Sequence, residues 1–308
     1  MPALWRSVYE VGVVMKILGD NIKVHFAGSE QIDFSIVAQK AGVNYFLWTC
    51  FPFISEQFGI KGFPITCKTL FPPAEIEKFA HHSIMDSGLF TLMFGAHKGK
   101  RDKPFLMKWQ YAMIDFVKQN NIKSSLVECD CQKVLGVDEA WQFRRLFREA
   151  VPNQIINVFH YEDGKTGLDR LIEFSDYIAI SVPELRIVKP KTYKDDVYRL
   201  ACYVKNRKPE IKIHLLGCTE VKMLQRCNFC TTADSTSWQA VNRFGRILGN
   251  HVKTIRPEVK EKCAQAVREM MEMCGIEETE KRMDYYSNYY ISAWLHRREY
   301  EKYAGSQE

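Results

Sequence analysis

The chain has no long apolar run. Its longest apolar stretches, such as Val43 to Trp48, fall far short of the roughly 20 residues a membrane helix requires, which sets aside membrane-spanning function classes. It has no glycine-rich dinucleotide turn and no phosphate-binding loop, so the usual fingerprints of nucleotide-cofactor enzymes are missing. Nor does a charged-then-apolar leader with a small-residue cleavage site open it. Together with ten cysteines, that predicts reduced thiols, no disulfides and a cytoplasmic location, or the host cytoplasm for a phage-encoded chain. Internal repeats and low-complexity tracts are also lacking. Neither sign of charge dominates: 43 Lys and Arg against 37 Asp and Glu leave +6, which permits a polyanionic partner without requiring one.

What is present is enough for a large core. The 308 residues are 46% hydrophobic and 26% charged, the balance of an ordinary folded chain. Short apolar segments recur with helical material between them. Strands are predicted at Ile22 to Ala27, Val43 to Thr49, Ser83 to Asp86, Ser124 to Glu128, Ile155 to His160, Tyr177 to Val182, Ile211 to Leu216 and Phe229 to Ala233. Helices are predicted at Ile32 to Lys40, up to Phe79 from Pro72-Pro73, at Trp109 to Asn120, Asp138 to Glu149, Leu168 to Phe174, Glu220 to Leu224, Pro257 to Met273 and Lys281 to Tyr303. Gly95 to Lys108 and Glu184 to Lys194 are expected as loops, the second followed by a helix. Eight strands alternating with helices point to a (β/α)8 TIM barrel with a helical C-terminal extension. A doubly wound open sheet competes, because periodicity cannot show closure. The expected division is an N-terminal arm at 1–14, the barrel at 15–250 and the extension, packed on the barrel, at 251–308.

In such a barrel the chemistry belongs at the strand C-termini. Asp86, in Ile-Met-Asp-Ser-Gly, ends the third predicted strand, and Asp234, in Ala-Asp-Ser-Thr-Ser-Trp, follows the eighth. Two carboxylates converging there suit substitution at a sugar carbon, one attacking the anomeric centre while the other protonates the leaving group. The plain reading of Asp-Ser-Thr-Ser as a turn or helix cap stands beside it.

The Asp-Ser-Gly strand end, the later Asp-Ser-Thr-Ser-Trp preceded by His-Leu-Leu-Gly, Phe26-Ala27-Gly28-Ser29-Glu30, and Val158-Phe159-His160 resemble the tRNA-guanine transglycosylase superfamily. The similarity runs from about Ile22 to Gly245, and the DpdA-type 7-deazaguanine DNA transglycosylases of phages and bacteria are the branch it resembles most. The resemblance implies an enzyme, a glycosyltransferase of the pentosyl type, that exchanges guanine in DNA for a free 7-deazaguanine base, without a cofactor. Asp234 would be the nucleophile and Asp86 the proton-transfer residue, with Ser87 and Gly88 in the base pocket. Asp130, or failing it Glu128, would read the guanine edge. His160 stands where the tRNA enzymes often use Gln and would contact the base or pack. Ser235 and Trp238 are assigned to the pocket, Trp238 as its wall or as a cap of the next helix. Ser181 to Glu184 replaces a Gly-Gly stretch of the tRNA enzymes.

The tRNA enzymes also carry Cys-x-Cys-x-x-Cys and a later His, a closed structural zinc site. Here only Cys263, Cys274, His251 and His296 follow Asp234, without that spacing, and Cys227-Asn228-Phe229-Cys230 lies upstream, so no metal is expected. Phosphate contacts are assigned to Lys98, Lys100, Arg101 and Lys103, with His97, and to Lys189, Lys191 and Lys194, because both basic loops follow strand C-termini. The Tyr286, Tyr289, Tyr290, Ala293, Trp294 and Arg297 stripe is expected to pack on the barrel, with base stacking as the sharper alternative. His81 and His82 are expected to pack or to support the site. The same exchange on tRNA, a non-catalytic nucleic-acid-binding subunit, and a homodimer all stay open at this point.

Overall fold

The computed structural model describes residues 22–60, 73–93, 101–218, 220–248, 250–251 and 257–304. The arm expected at 1–14, and His97, Lys98 and Lys100, lie outside them. The strands are β1 (Lys23–Ala27), β2 (Tyr45–Thr49), β3 (His82–Asp86), β4 (Ser125–Val127), β5 (Ile155–Phe159), β6 (Tyr177–Ser181), β7 (Lys212–Leu216) and β8 (Thr232–Ser235). They form a closed barrel in sequence order, every pair parallel, with β8 returning to β1 so that His25 lies opposite Asp234. The expected TIM barrel is the observed fold.

The helices follow the strands. After β1 comes α1 (Ile32–Lys40); after β2, α2 (Phe51–Ile54) and α3 (Pro73–Phe79); after β3, α4 (Leu89–Met93) and α5 (Lys103–Gln119). After β4 come α6 (Gln132–Leu135) and α7 (Val137–Ala150); after β5, α8 (Gly164–Phe174); after β6, α9 (Val182–Val188) and α10 (Tyr193–Arg207). After β7 comes α11 (Val221–Arg226), and after β8 come α12 (Val241–Phe244), α13 (Pro257–Met273) and α14 (Glu280–Ala304). No described helix is long and apolar enough to cross a membrane.

Strand alternation separates two cores. Val24, Phe26, Ile178, Ile180, Ile213 and Leu215 face the helices. Ala27, Leu47, Ile84, Val127, Ile156, Val158, Tyr177 and Ala179 fill the lumen. The period of two therefore also turns His25, His214, Thr232 and Asp234 inward, and all four are buried. A lumen packed this tightly fixes side-chain positions at its top, where the carboxylates stand.

Three local differences from the sequence expectation have identifiable causes. The basic stretch before Trp109 turns helical at Lys103, because the Asp102 carboxylate accepts from Phe105 N at 3.0 Å and Pro104 fits the first turn. The expected loop at 184–194 contains α9, capped by Ser181 Oγ accepting from Glu184 N at 3.3 Å, with Pro183 in its first turn. A turn with Cys230 N donating to Cys227 O at 2.8 Å delays β8 to Thr232, so Asp234 lies within the strand instead of beyond it.

Helix α14 packs between α11 and α1 and touches β1, so it occupies the place of the eighth outer helix. Its aromatic stripe is core: Tyr286, Tyr289, Tyr290 and Ala293 are buried. Tyr286 Oη donates to Asp33 Oδ2 at 2.7 Å, and Arg297 Nε donates to Ala41 O at 3.0 Å. The C-terminal segment thus closes the outer ring over β1 and β8, the two strands that flank the Asp234 side of the mouth.

Candidate active site

Asp234 projects inward from β8. Its Oδ1 accepts from Gly217 N at 2.7 Å and stands 3.3 Å from His214 Nε2, and its side chain is 12% exposed. Gly217 is where β7 ends, with φ +60°, and a Cβ there would come within 2.8 Å of Pro183, so a glycine is needed to aim this N–H.

Asp86 ends β3 opposite Thr49 of β2. Its Oδ1 accepts from Gly88 N at 2.7 Å. Gly88 has φ +72°, and a Cβ there would meet Phe51 Cβ at 2.6 Å. Burial raises the Asp86 carboxyl most; the Gly88 bond and His214 oppose this, the charges of Asp234 and Asp130 add to it, and the result is about 6. The charges of Asp234 and Asp130 thus reach Asp86, and the three acids belong to the same end of the barrel.

A further acid stands beside them. Ser29 N bonds to Leu47 O at 3.2 Å, which brings Glu30 to the end of β2, next to the strand that carries Asp86. The residue is partly open to solvent, but its carboxyl is enclosed. Burial, with the Asp86 charge adding to it, raises it to about 7 against backbone bonds at Glu30 and Thr49. The Phe-Ala-Gly-Ser-Glu sequence marked this stretch, yet nothing in its spacing singled out the glutamate.

Asp130 and His160 sit across the mouth. His160 is buried, its Nε2 2.7 Å from Asp130 Oδ1 and its Nδ1 3.1 Å from Glu184 Oε2. Burial pulls the imidazole down, but the bonds and charges of Asp130 and Glu184 outweigh it and raise it to about 10. His160 is an imidazolium whose two N–H groups are both engaged, so it does not present a ring nitrogen to a base; it orients Asp130. Lys133 Nζ, 3.0 Å from Glu184 Oε1 and 2.6 Å from Glu162, balances the far side. The Asp130 side chain is 27% exposed, and its Oδ2 takes no hydrogen bond among the described residues. It is available to accept from a ligand.

Glu128, the alternative base reader, is fully engaged inside the protein. Arg144 Nε donates to both its oxygens at 2.9 and 3.0 Å, Asn157 Nδ2 to Oε2 at 2.6 Å and Val158 N to Oε1 at 2.9 Å. Of the two acids, Asp130 is the one with an oxygen open to a ligand.

Other expected site residues turn away. Trp238 is buried, donates from Nε1 to Ala27 O at 3.0 Å and packs on Phe26 and Tyr289, so it is a core residue and does not wall the mouth. Ser235 Oγ pairs with Ser237 Oγ at 2.7 Å and Tyr300 Oη at 3.3 Å, toward α14. Ser87 is buried, and its carbonyl accepts from Trp109 Nε1 at 2.9 Å. His82 bonds to His25 at 2.8 Å and to Ser125 at 3.0 Å inside the lumen, while His81 is exposed at the edge of Tyr45.

Among the basic candidates, Lys103 is paired with Glu139 at 2.5 Å and Lys194 with Glu220 at 2.5 Å. Arg101 stacks on Phe105 at 4.7 Å, and Lys189 lies over Tyr161 at 5.2 Å. Lys191 is exposed. Lys189 and Lys191 follow β6 and α9, and Lys189 lies near Tyr161, which follows β5.

Cys263 and His296, two of the four Cys and His residues that follow Asp234, have partners within the protein. Cys263 Sγ donates to Ser287 O at 3.5 Å and His296 Nδ1 pairs with Ser292 O at 2.8 Å, each within the α13–α14 packing. Among the described residues no group of three or more His, Cys, Asp or Glu side chains is arranged around a common metal position. A cavity of about 810 Å³ lies elsewhere, beside the N-terminal ends of β1 and β2 and the last turns of α14.

Comparison with protein-family models gives no match, and comparison with curated proteins gives none either.

Proposed function

We propose that this chain is a base-exchange transglycosylase that replaces guanine in DNA with a free 7-deazaguanine base. The observation that carries the reading is the convergence of Asp86, Asp234 and Asp130 at the C-terminal end of one barrel, in three different environments. Three such acids can divide the work of one substitution. Asp234, its Oδ1 tethered by Gly217, attacks C1′ of the sugar through Oδ2; the bond from C1′ to guanine N9 breaks, and its electron pair goes to the base. Asp86, with a carboxyl near 6 that still holds a proton below that pH, supplies the proton to the departing purine. The incoming base then displaces Asp234 from C1′ and gives its own proton back to Asp86, so the enzyme returns to its starting state.

Asp130 offers an acceptor to the donor edge of the purine, held by the His160 imidazolium. A base inside a duplex cannot reach acids at the top of a barrel, so the nucleotide must be unpaired or flipped. Lys189 and Lys191 on the same end then meet the flanking phosphates.

The test is incorporation of a labelled 7-deazaguanine base into DNA and into tRNA by the purified protein, with denaturing gels to detect a covalent protein–nucleic acid adduct. Label and adduct in DNA that both vanish in Asp234→Ala support the proposal. Label in tRNA alone moves the substrate class. Activity equal to the parent in Asp234→Ala refutes the covalent mechanism.

A further inference from the structure

Beneath Asp234 the lumen contains a line of polar side chains that the proposed chemistry has not used. His214 is completely buried, and the Tyr177–Thr232 pair beside it is buried too. Thr232 and Asp234 are two residues apart on β8, and His214 lies opposite Thr232 on β7. The phenol of Tyr177 is hydrogen-bonded to Thr232 Oγ1, and Thr232 Oγ1 is 2.7 Å from His214 Nδ1. His214 Nε2 has no hydrogen-bond partner in this state and stands 3.3 Å from Asp234 Oδ1.

For a neutral His214 ring, counting hydrogens fixes the direction of this line. Tyr177 Oη has one hydrogen, and Thr232 Oγ1 is its one side-chain partner among the described residues, so satisfying the buried phenol means Tyr177 donates to Thr232. The Thr232 hydrogen is then directed to His214 Nδ1, which accepts it. An imidazole that accepts at Nδ1 carries its hydrogen at Nε2. That N–H points at the carboxylate. A buried donor left unpartnered is costly, so the N–H favours any arrangement in which Asp234 Oδ1 turns the short remaining way to take it.

We infer that Tyr177, Thr232 and His214 form a directed relay that sets the His214 tautomer and thereby positions the Asp234 nucleophile. The inference rests on the reading of Asp234 as nucleophile. With Gly217 N–H bonded to Oδ1 and His214 Nε2–H facing it at 3.3 Å, Oδ2 is the oxygen left to attack, and the same two donors are placed to hold the ester carbonyl that Oδ1 becomes once the sugar is bound. His214 is a positioning residue: it touches the nucleophile and not the substrate. Because the barrel wall sets its tautomer, the relay does not depend on solvent or on ligand.

Nitrogen-15 NMR of histidine-labelled protein reads the relay directly, with the His214 ring assigned by its loss in His214→Gln. The parent is expected to show a protonated Nε2 and an accepting Nδ1. In Thr232→Val, which keeps the shape and removes the donor, the tautomer preference is lost. The rate of adduct formation falls about 10- to 100-fold, the worth of one hydrogen bond to a charged acceptor, while KM for the free base is unchanged. Tyr177→Phe, which frees the Thr232 hydroxyl to reverse, serves as the second variant and is expected to shift the tautomer the same way. A parent with the hydrogen on Nδ1, or a Thr232→Val protein with parental tautomer and adduct rate, overturns the inference. If the parent forms no adduct with any nucleic acid, the proposed function fails, while the ring spectrum still decides the relay by itself.

Discussion

Glu128 and Asp86 are carboxylates at the ends of neighbouring strands, β4 and β3, and both are enclosed. Glu128 accepts from an arginine, an asparagine and a backbone N–H, so the protein supplies nearly all the hydrogen bonds its two oxygens can take. Asp86 has one backbone N–H, with Asp234, Asp130 and Glu30 as acidic neighbours. The first arrangement anchors β4 to α7 and β5. The second leaves a carboxyl raised to about 6, which stability alone would not select and which suits proton transfer. Donor count at a buried acid thus separates the anchoring acid from the working one.

The largest effect should come from the working side. Asp234→Ala is expected to lower base exchange by on the order of 10⁴-fold or more and to abolish the covalent adduct, read on denaturing gels. Asp86→Asn should lower turnover about 10²- to 10⁴-fold. It should also remove a decline in turnover that the parent shows as pH rises through about 6, measured as kcat/KM across pH 5 to 8. Stability moves the other way. A carboxyl raised in the folded state from its ordinary 3.8 to about 6 binds its proton more tightly folded than unfolded, so its penalty is complete above 6 and relieved as pH falls toward 4. Asp86→Asn should therefore melt above the parent at pH 8, with the gap closing on acidification.

Glu128→Gln should show the opposite pattern: a loss of about 3–5 kcal/mol in denaturant unfolding, because Arg144 is left buried and uncompensated, with activity per folded molecule near parental. A Glu128→Gln protein as stable as the parent would break the comparison. The smallest effect belongs to His160→Gln, expected to raise KM for the free base about tenfold with little change in kcat, through looser aim of Asp130. The sign with pH follows from a raised histidine: the imidazolium persists until pH approaches about 10, so the parental KM should climb as pH rises through about 10 while that of His160→Gln stays level.

The barrel was legible because each strand is short, apolar and followed by helical material, and because turns such as Ser87-Gly88 and Gly217 interrupt the pattern at its rim. The two aspartates were legible for the same reason, since a polar residue directly after an apolar run marks a strand end. Glu30 and His214 carried no such mark. Glu30 follows a turn that could lead anywhere, and His214 lies in the middle of β7, where the sequence does not say which alternating face is the lumen. Trp238 and Ser235 misled in the other direction: beside Asp234 in the chain, they follow the strand out toward α14, because a turn begins at Ser235 and the aromatic core of α14 is waiting there.

By itself the sequence determined the alternation of strand and helix, the acids at the strand ends and the absence of any span long enough for a membrane, because all three depend on residues adjacent along the chain. Tertiary structure decided which acids meet, which are neutralised and which tautomer faces Asp234. Those properties depend on barrel closure, which joins β8 to β1 and sets Tyr177, His214 and Thr232 in one lumen although up to 55 residues separate them in the chain.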